Sequence, residues 1–244
     1  MRIVSLCPSI TESLVALGLG GSLVGVTRYC VHPREALEGI PRVGGTKNPD
    51  LAAIAALERD LVFCNSEENR AADVAELSRR HRVDVSHPTR VADVPVMLRR
   101  IGELTGTEAA AEGWARAVEE RLAAASRQPR VSFAYLVWKG PFMAAAGGTY
   151  ISDLVETFGG RNVFPAGSGP WPKTGEEELR ALSPELLFLP DEPYRFGEDD
   201  RAFWSGALRG TRVVSVPGND FCWHGVRSLR GLEAVRALLA EGVG

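Results

Sequence analysis

Residues 107–128, TEAAAEGWARAVEERLAAASRQ, are the stretch on which the reading of this chain turns. They read as one uninterrupted helix of several turns. Thr107 can cap its start, Glu108 and Glu112 put negative charge near the free N–H groups, and Arg121 and Arg127 put positive charge towards the carbonyl end. Trp114, Val118 and Leu122 recur at a spacing of four, with Ala111 and Ala125 on the same face, so one stripe is apolar and the rest charged. Pro129 ends it. At ~1.5 Å per residue the helix would span on the order of 30 Å, about the diameter of a small domain. A strand-like run over 130–138 follows at once and repeats the pattern that opens the chain over 2–7. This divides the sequence into an N-terminal lobe over 1–106, a bridging helix over 107–128 and a C-terminal lobe over 129–244. Pattern alone equally suits a crossover helix within a single sheet.

Outward from that helix, strands and helices alternate. In the first half, strands are expected over 3–7, 23–26, 60–64 and 83–86, with helices after each. Ser9 and Glu12 have the S-x-x-E spacing of a capping box after the first strand. In the second half, strands are expected over 131–137, 186–189 and 213–216, with a helix from Thr149 to Phe158, another over 176–182 and a last one reaching Leu239. Such alternation implies parallel βαβ units, whose ligands collect at the carboxyl ends of the strands. Cys7, Tyr29, Cys30, His32 and Glu67 then share one rim.

With 244 residues, 45% apolar and 24% charged, the chain can bury a large core. Its formal charge of −3, with basic residues spread throughout, gives no electrostatic footprint for nucleic acid. No apolar run approaches the ~20 residues of a membrane span, so membrane insertion is not expected. Met1 and Arg2 lead directly into the first strand without a secretion leader, which reads as cytoplasmic as the sequence stands, and as periplasmic or extracellular if a leader has been removed. Four cysteines, Cys7, Cys30, Cys64 and Cys222, are too scattered for a disulfide scaffold.

Three groups of residues could carry chemistry. Trp138, Phe142, Trp171, Tyr194, Phe196 and Trp223 lie in strand-end loops of the second half, where they suit either the core or the wall of a cleft for a large, flat ligand. Cys7, Cys30 and His32, with Cys222 and His224 expected on the other lobe, are metal-ligand types. No C-x-x-C or H-x-x-x-H spacing accompanies them, so unpaired or core cysteines fit better. Acidic pairs stand at matched places: Glu67-Glu68 in the first half, and Asp191-Glu192 or Glu198-Asp199-Asp200 in the second, where they suit solvated loops as well as docking points.

The stretches RIVSLCPSITE (2–12), LVGVTRYCVHP (23–33) and GGTKNPDLAAIAALERDLVF (44–63) resemble the first lobe of the helical-backbone, class III, solute-binding proteins of cobalamin and ferric-siderophore ABC importers. GGRNVF (159–164), PWP (170–172) with EEEL (176–179), and SPELLFL (183–189) continue the match in order, and it looks closest to the vitamin B12-binding branch. The resemblance implies an α/β fold of two Rossmann-like lobes with parallel sheets, joined by one long helix and holding ligand in a cleft between them. It also implies that Glu67 or Glu68 and Glu192 dock an ABC permease, that Tyr29 packs on the corrin ring, and that Trp171 lies in a matching aromatic loop.

The expected function is therefore a monomeric, non-enzymatic binder of a corrinoid or other metal chelate, with no cofactor of its own. Its ligand residues would be Tyr29, Cys30, His32, Phe142, Trp171, Tyr194, Trp223 and His224, with ring faces on Tyr29, Trp171 and Trp223 and an axial or amide contact from His32 or His224. Two other functions use the same rim. One is a cytosolic metal- or cofactor-handling protein with Cys7, Cys30 and His32 as ligands, and the other an enzyme with a reactive thiolate.

Overall fold

The computed structural model describes residues 1–125 and 131–240, which form two α/β units. Unit 1 comprises Met1–Pro88, Ala92–Glu119 and Trp223–Arg227, and unit 2 comprises Thr89–Val91, Glu120–Cys222 and the chain from Ser228 onward. The expected tail of the central helix at 126–128, with Arg127, Pro129 and the start of the following strand, lies outside the described residues.

Unit 1 contains β1 (Ile3–Ser5), α1 (Pro8–Ala16), β2 (Leu23–Val26), α2 (Leu51–Ala56), β3 (Leu61–Asn65), α3 (Ala71–Ser78), β4 (Val83–Ser86), α4 (Val94–Thr105) and most of α5 (Glu108–Ala123). Its four strands are all parallel, in the order β2-β1-β3-β4. Side chains alternate between the two faces of a strand, and both faces are covered. Ile3, Leu61 and Phe63 enter one apolar cluster with α1 and α4, while Val4, Val62 and Cys64 enter another beneath α2 and α3. That is why these strands read as unbroken apolar runs rather than as alternating ones.

Unit 2 contains β5 (Val131–Trp138), β6 (Phe142–Ala144), α6 (Tyr150–Glu156), β7 (Gly160–Asn162), β8 (Lys173–Thr174), α7 (Glu176–Leu182), β9 (Leu186–Pro190), α8 (Glu198–Ala207), β10 (Arg212–Val216), α9 (Gly218–Cys222) and α10 (Ser228–Ala240). The parallel core is β10-β9-β5, with β7 parallel to the first half of β5. Beyond β5 the chain doubles back: β6 is antiparallel to β5, and β8 to β6. These short antiparallel strands, and helix α8, have no counterpart among the elements expected from the sequence. Glu198, Asp199 and Asp200, read there as docking acids or solvated loop, form the first turn of α8; Asp200 is buried, accepts from the Gly197 N–H at 3.0 Å and pairs with Lys139.

Helix α5 buries Ala111, Ala115 and Val118, and Ala111 packs against α4 within unit 1. Thr107 Oγ1 meets the Thr105 hydroxyl at 2.8 Å, and the Thr107 carbonyl accepts from Ala111 N–H. Arg99 on α4 reaches Glu112 and Glu119 at 2.6 Å each, and Glu112 also holds Arg116. The two helices meet at Gly102, where a Cβ would stand 2.7 Å from Ala111 Cβ and 3.1 Å from Glu108 Cα. Alanine has the better helix propensity by roughly 1 kcal/mol, but overpacking a tight contact costs about 1–3 kcal/mol. Gly102→Ala is therefore expected to destabilise the protein; a raised urea midpoint with an unchanged slope would contradict this account of the contact.

Candidate functional site

The strand order of unit 1 reverses between β1 and β3, and in an open α/β sheet the carboxyl ends of two such strands leave a ligand crevice. Here that position is filled by a buried polar network. Asn65, the last residue of β3, accepts at Oδ1 from the N–H groups of Glu67 (2.9 Å) and Glu68 (3.1 Å). Its amide nitrogen must then point the other way, where it lies 3.1 Å from His224 Nε2. Nε2 is therefore the unprotonated acceptor, and Nδ1–H donates to Ser9 Oγ at 3.2 Å. Ser9 Oγ in turn lies 3.2 Å from Cys7 Sγ. Burial, aided by the charge of His87, brings His224 from the ordinary 6.5 down to about 4.

The rest of the segment 223–227 is fastened in the same unit. Val226 N–H donates to Ser13 Oγ at 3.2 Å. Gly225, at φ 95°, presses against that hydroxyl so closely that a Cβ would stand 2.2 Å from it. Arg227 meets Glu12 through two hydrogen bonds of 2.6 Å, the side chains being 5% and 17% exposed, and its guanidinium lies 5.1 Å from the centroid of the Trp223 ring. These demands displace the expected capping box. Helix α1 starts at Pro8 with Cys7 at its N-cap and no side-chain cap, because Ser9 turns to His224 and Glu12 to Arg227.

The loop after β2 is braced from one side by Arg42, whose guanidinium donates to the carbonyls of Cys30 (2.8 Å), Thr27 (3.2 Å) and Leu37 (3.4 Å). From within, Cys30 Sγ accepts from Thr11 Oγ1 at 3.0 Å and lies 3.1 Å from Thr27 Oγ1. The loop so held presents Tyr29, 53% exposed, and Val31, 48% exposed. Arg28 stands 6.0 Å from the Tyr29 ring centroid, and Gly45 leaves the ring room, since a Cβ there would stand 3.2 Å from Tyr29 Cε2. His32 meets the edge of Trp223 at 5.7 Å between centroids and 63° between planes.

Several expected ligand groups are thus withdrawn from the surface. Cys7 and Cys30 are enclosed; burial pushes the Cys7 thiol up to about 12 and raises that of Cys30 as well, the opposite of a reactive thiolate. The metal set of Cys7, Cys30 and His32 is not assembled, and no group of three His, Cys, Asp or Glu side chains among the described residues could hold an ion. Cys30 acts instead as a buttress of the Tyr29 loop. Trp223 and His224, expected on the C-terminal lobe, are grouped with unit 1, and both are buried: Trp223 is 7% exposed and His224 has both ring nitrogens engaged. Neither offers an open ring face or a free axial nitrogen. Glu67 and Glu68 are half-buried; burial raises the Glu67 carboxyl, with His87 opposing, and Lys47 donates to the Glu67 carbonyl.

In unit 2 the strand ends of β5 and β9 carry Trp138, exposed, and Tyr194, half-buried, in edge contact at 5.7 Å. Tyr194 also packs on Phe196, and Phe142 on Trp204, so Phe142 belongs more to the core than to a surface. Trp171 is half-buried on a segment whose carbonyls at Pro170 and Pro172 accept from Ala146 and Ala144. Glu192 is half-buried, its backbone so close to Gly218 that a Cβ there would stand 2.4 Å from its carbonyl oxygen, while Cys222 Sγ lies 3.7 Å from Oε1.

The periplasmic binding protein family model matches residues 3–202, and the chain belongs to that family. It is 27% identical over 227 residues to the vitamin B12-binding protein of Vibrio parahaemolyticus, covering 88% of this chain and 80% of that one. It is also 27% identical over 240 residues to the vitamin B12-binding protein of Vibrio cholerae, covering 96% and 86%. Among solved structures, the periplasmic vitamin B12 binding protein of Vibrio cholerae has the same fold with a TM-score of 0.86 at 23% identity, over 98% of this chain and 96% of that one. The periplasmic heme-binding protein from Roseiflexus sp. RS-1 matches with a TM-score of 0.84 at 22% identity, over 100% and 99%. The chain is a binding protein rather than an enzyme. No helix among the described residues is long and apolar enough to cross a membrane.

Two expectations follow from the network. Glu12→Ala leaves the Arg227 charge buried without its carboxylate, and is expected to cost about 3 kcal/mol of stability and to weaken the near-ultraviolet circular dichroism of Trp223; an unchanged spectrum and midpoint would show that the pair is idle. His224 takes up a proton more readily unfolded than folded, so protonation favours unfolding. It is neutral in both states above about pH 6.5, and stability falls between pH 6.5 and about 4, by roughly 3 kcal/mol in full. Urea midpoints over that range should fall less steeply in His224→Gln; equal slopes would contradict the assignment.

Proposed function

We propose that this chain captures a corrinoid, or a related metal chelate with a broad apolar face, for delivery to an ABC permease. The observation that carries this reading is Tyr29, a large ring left half in solvent on a loop fastened at five points, by Arg42 to three carbonyls and by Thr11 and Thr27 to Cys30. Holding an aromatic out in water has no benefit for folding, whereas a pre-formed face lowers the ordering cost of binding a flat ligand. Trp138 and Tyr194 are a second such face on unit 2. The vitamin B12-binding relatives support the corrinoid as first candidate, and the heme-binding protein of like fold keeps tetrapyrroles in general in view.

Glu67, Glu68 and Glu192 are the proposed permease contacts. The first two have backbones pinned by Asn65, and the third is fixed against Gly218, so that each carboxylate sits on rigid chain. In this reading the protein works outside the cytoplasm, where such a permease receives its cargo.

Titration of intrinsic tryptophan fluorescence with cyanocobalamin, hemin and a ferric siderophore tests the proposal. Binding of a tetrapyrrole well below ~100 µM, weakened about tenfold by Tyr29→Ala, is the expected outcome. Silence towards all three up to ~100 µM would overturn it.

A further inference from the structure

One short turn in unit 1 is fastened on both sides. Residues 44–48, GGTKN, fold back on themselves: Gly45 N–H donates to the Asn48 carbonyl at 3.2 Å, and Gly44 bridges Pro49 in antiparallel register. Gly44, at φ 87°, turns the chain where any other residue would be strained, since its Cβ would stand 2.6 Å from the Asn48 carbonyl oxygen.

On one side this turn supports the Tyr29 face. Arg28 N–H donates to the Gly44 carbonyl at 2.9 Å, and the Tyr29 ring lies against Gly45. On the other side it supports the acidic turn over 65–69. Lys47 donates to the Glu67 carbonyl, and while burial raises the Glu67 carboxyl, the Lys47 charge opposes that rise. The Asn69 amide nitrogen donates to the carbonyls of Thr46 at 2.9 Å and Leu6 at 3.2 Å, and Asn69 Oδ1 accepts from Asn65 N–H at 2.8 Å. Asn69 is 3% exposed, so losing one of these bonds would leave an enclosed polar group unpaired. An unbroken run of contacts therefore leads from the Tyr29 ring through residues 44–47 to the backbone of Glu67 and Glu68.

We propose, resting on the function proposed above, that Lys47 and Asn69 are positioning residues through which an occupied Tyr29 face orders the acidic turn, so that a permease distinguishes the loaded protein from the empty one. A ring laid on Tyr29 confines that side chain against Gly45. Confining Gly44 and Gly45 leaves the Thr46 carbonyl and the Lys47 ammonium fewer positions, and these are the groups that hold residues 65–69. The carboxylates of Glu67 and Glu68 are then ordered before the permease arrives, and the second binding event no longer bears that entropic cost.

Hydrogen exchange of the full chain tests this, with and without a saturating amount of whichever of cyanocobalamin, hemin and a ferric siderophore binds. Ligand should slow exchange of the amides of residues 65–69 about fivefold, with those of α3 unchanged. Lys47→Met should bind the same ligand within about twofold of wild type and lose the slowing, whereas Lys47→Arg, which still donates, should keep it. Binding by wild type with no change at 65–69, or a slowing that survives intact in Lys47→Met, overturns the inference and leaves the proposed function standing. Failure of wild type to bind any of the three probes overturns both.

Discussion

A carboxylate on the first helix and a guanidinium 215 residues later form the contact on which the rest of unit 1 depends. Glu12 and Arg227 are joined by two short hydrogen bonds that hold the guanidinium in an almost fully enclosed position. Their pairing brings five residues of a distant part of the chain onto the first sheet. Once Arg227 is placed, Trp223 lies beneath it, Val226 reaches Ser13, and His224 enters the space at the ends of β1 and β3. The crevice that the topology would leave open is closed by side chains, and the Tyr29 loop stands at its rim.

The interior of that plug is chosen by hydrogen-bond arithmetic. Two backbone N–H groups decide which way the Asn65 amide faces, the amide decides which imidazole nitrogen is bare, and the bare nitrogen leaves Nδ1–H for Ser9. Each step has one partner too many for the alternative arrangement. Desolvation, with His87 adding to it, then keeps the imidazole neutral.

Much of the fold was legible in the chain itself. The long helix is marked by charge bias and by Val118 at the buried stripe, and β1 and β3 by unbroken apolar runs that reflect burial on both faces. Tyr29 and the Glu67-Glu68 turn were singled out by their position after strand ends and by the resemblance of the surrounding loops. Other features have no local signature. A capping box at Ser9 and Glu12 has the right spacing, but tertiary partners took both side chains. Nothing near Arg42 announces that it reads three carbonyls, and no pattern links Glu12 to Arg227. Short strands such as β6 and β8 are too brief for a period to register. Aromatic residues in loops were the hardest to assign, because Trp138 and Trp223 have the same chemistry and opposite exposure; Trp223 lies beneath Arg227, which the distant Glu12 holds.

The return of the chain through 223–227 also bears on how the protein can be dissected. A polypeptide ending at residue 119 would hold every strand of the first sheet and still lack a piece of its interior: Ser9, Asn65, Ser13 and Glu12 would all face a hole where the plug belongs. The complementary piece would carry the plug with nothing to insert it into. Cutting the molecule in two along its primary structure therefore cannot yield two complete halves; a faithful first half would need its last five residues restored by a linker or supplied as a separate peptide.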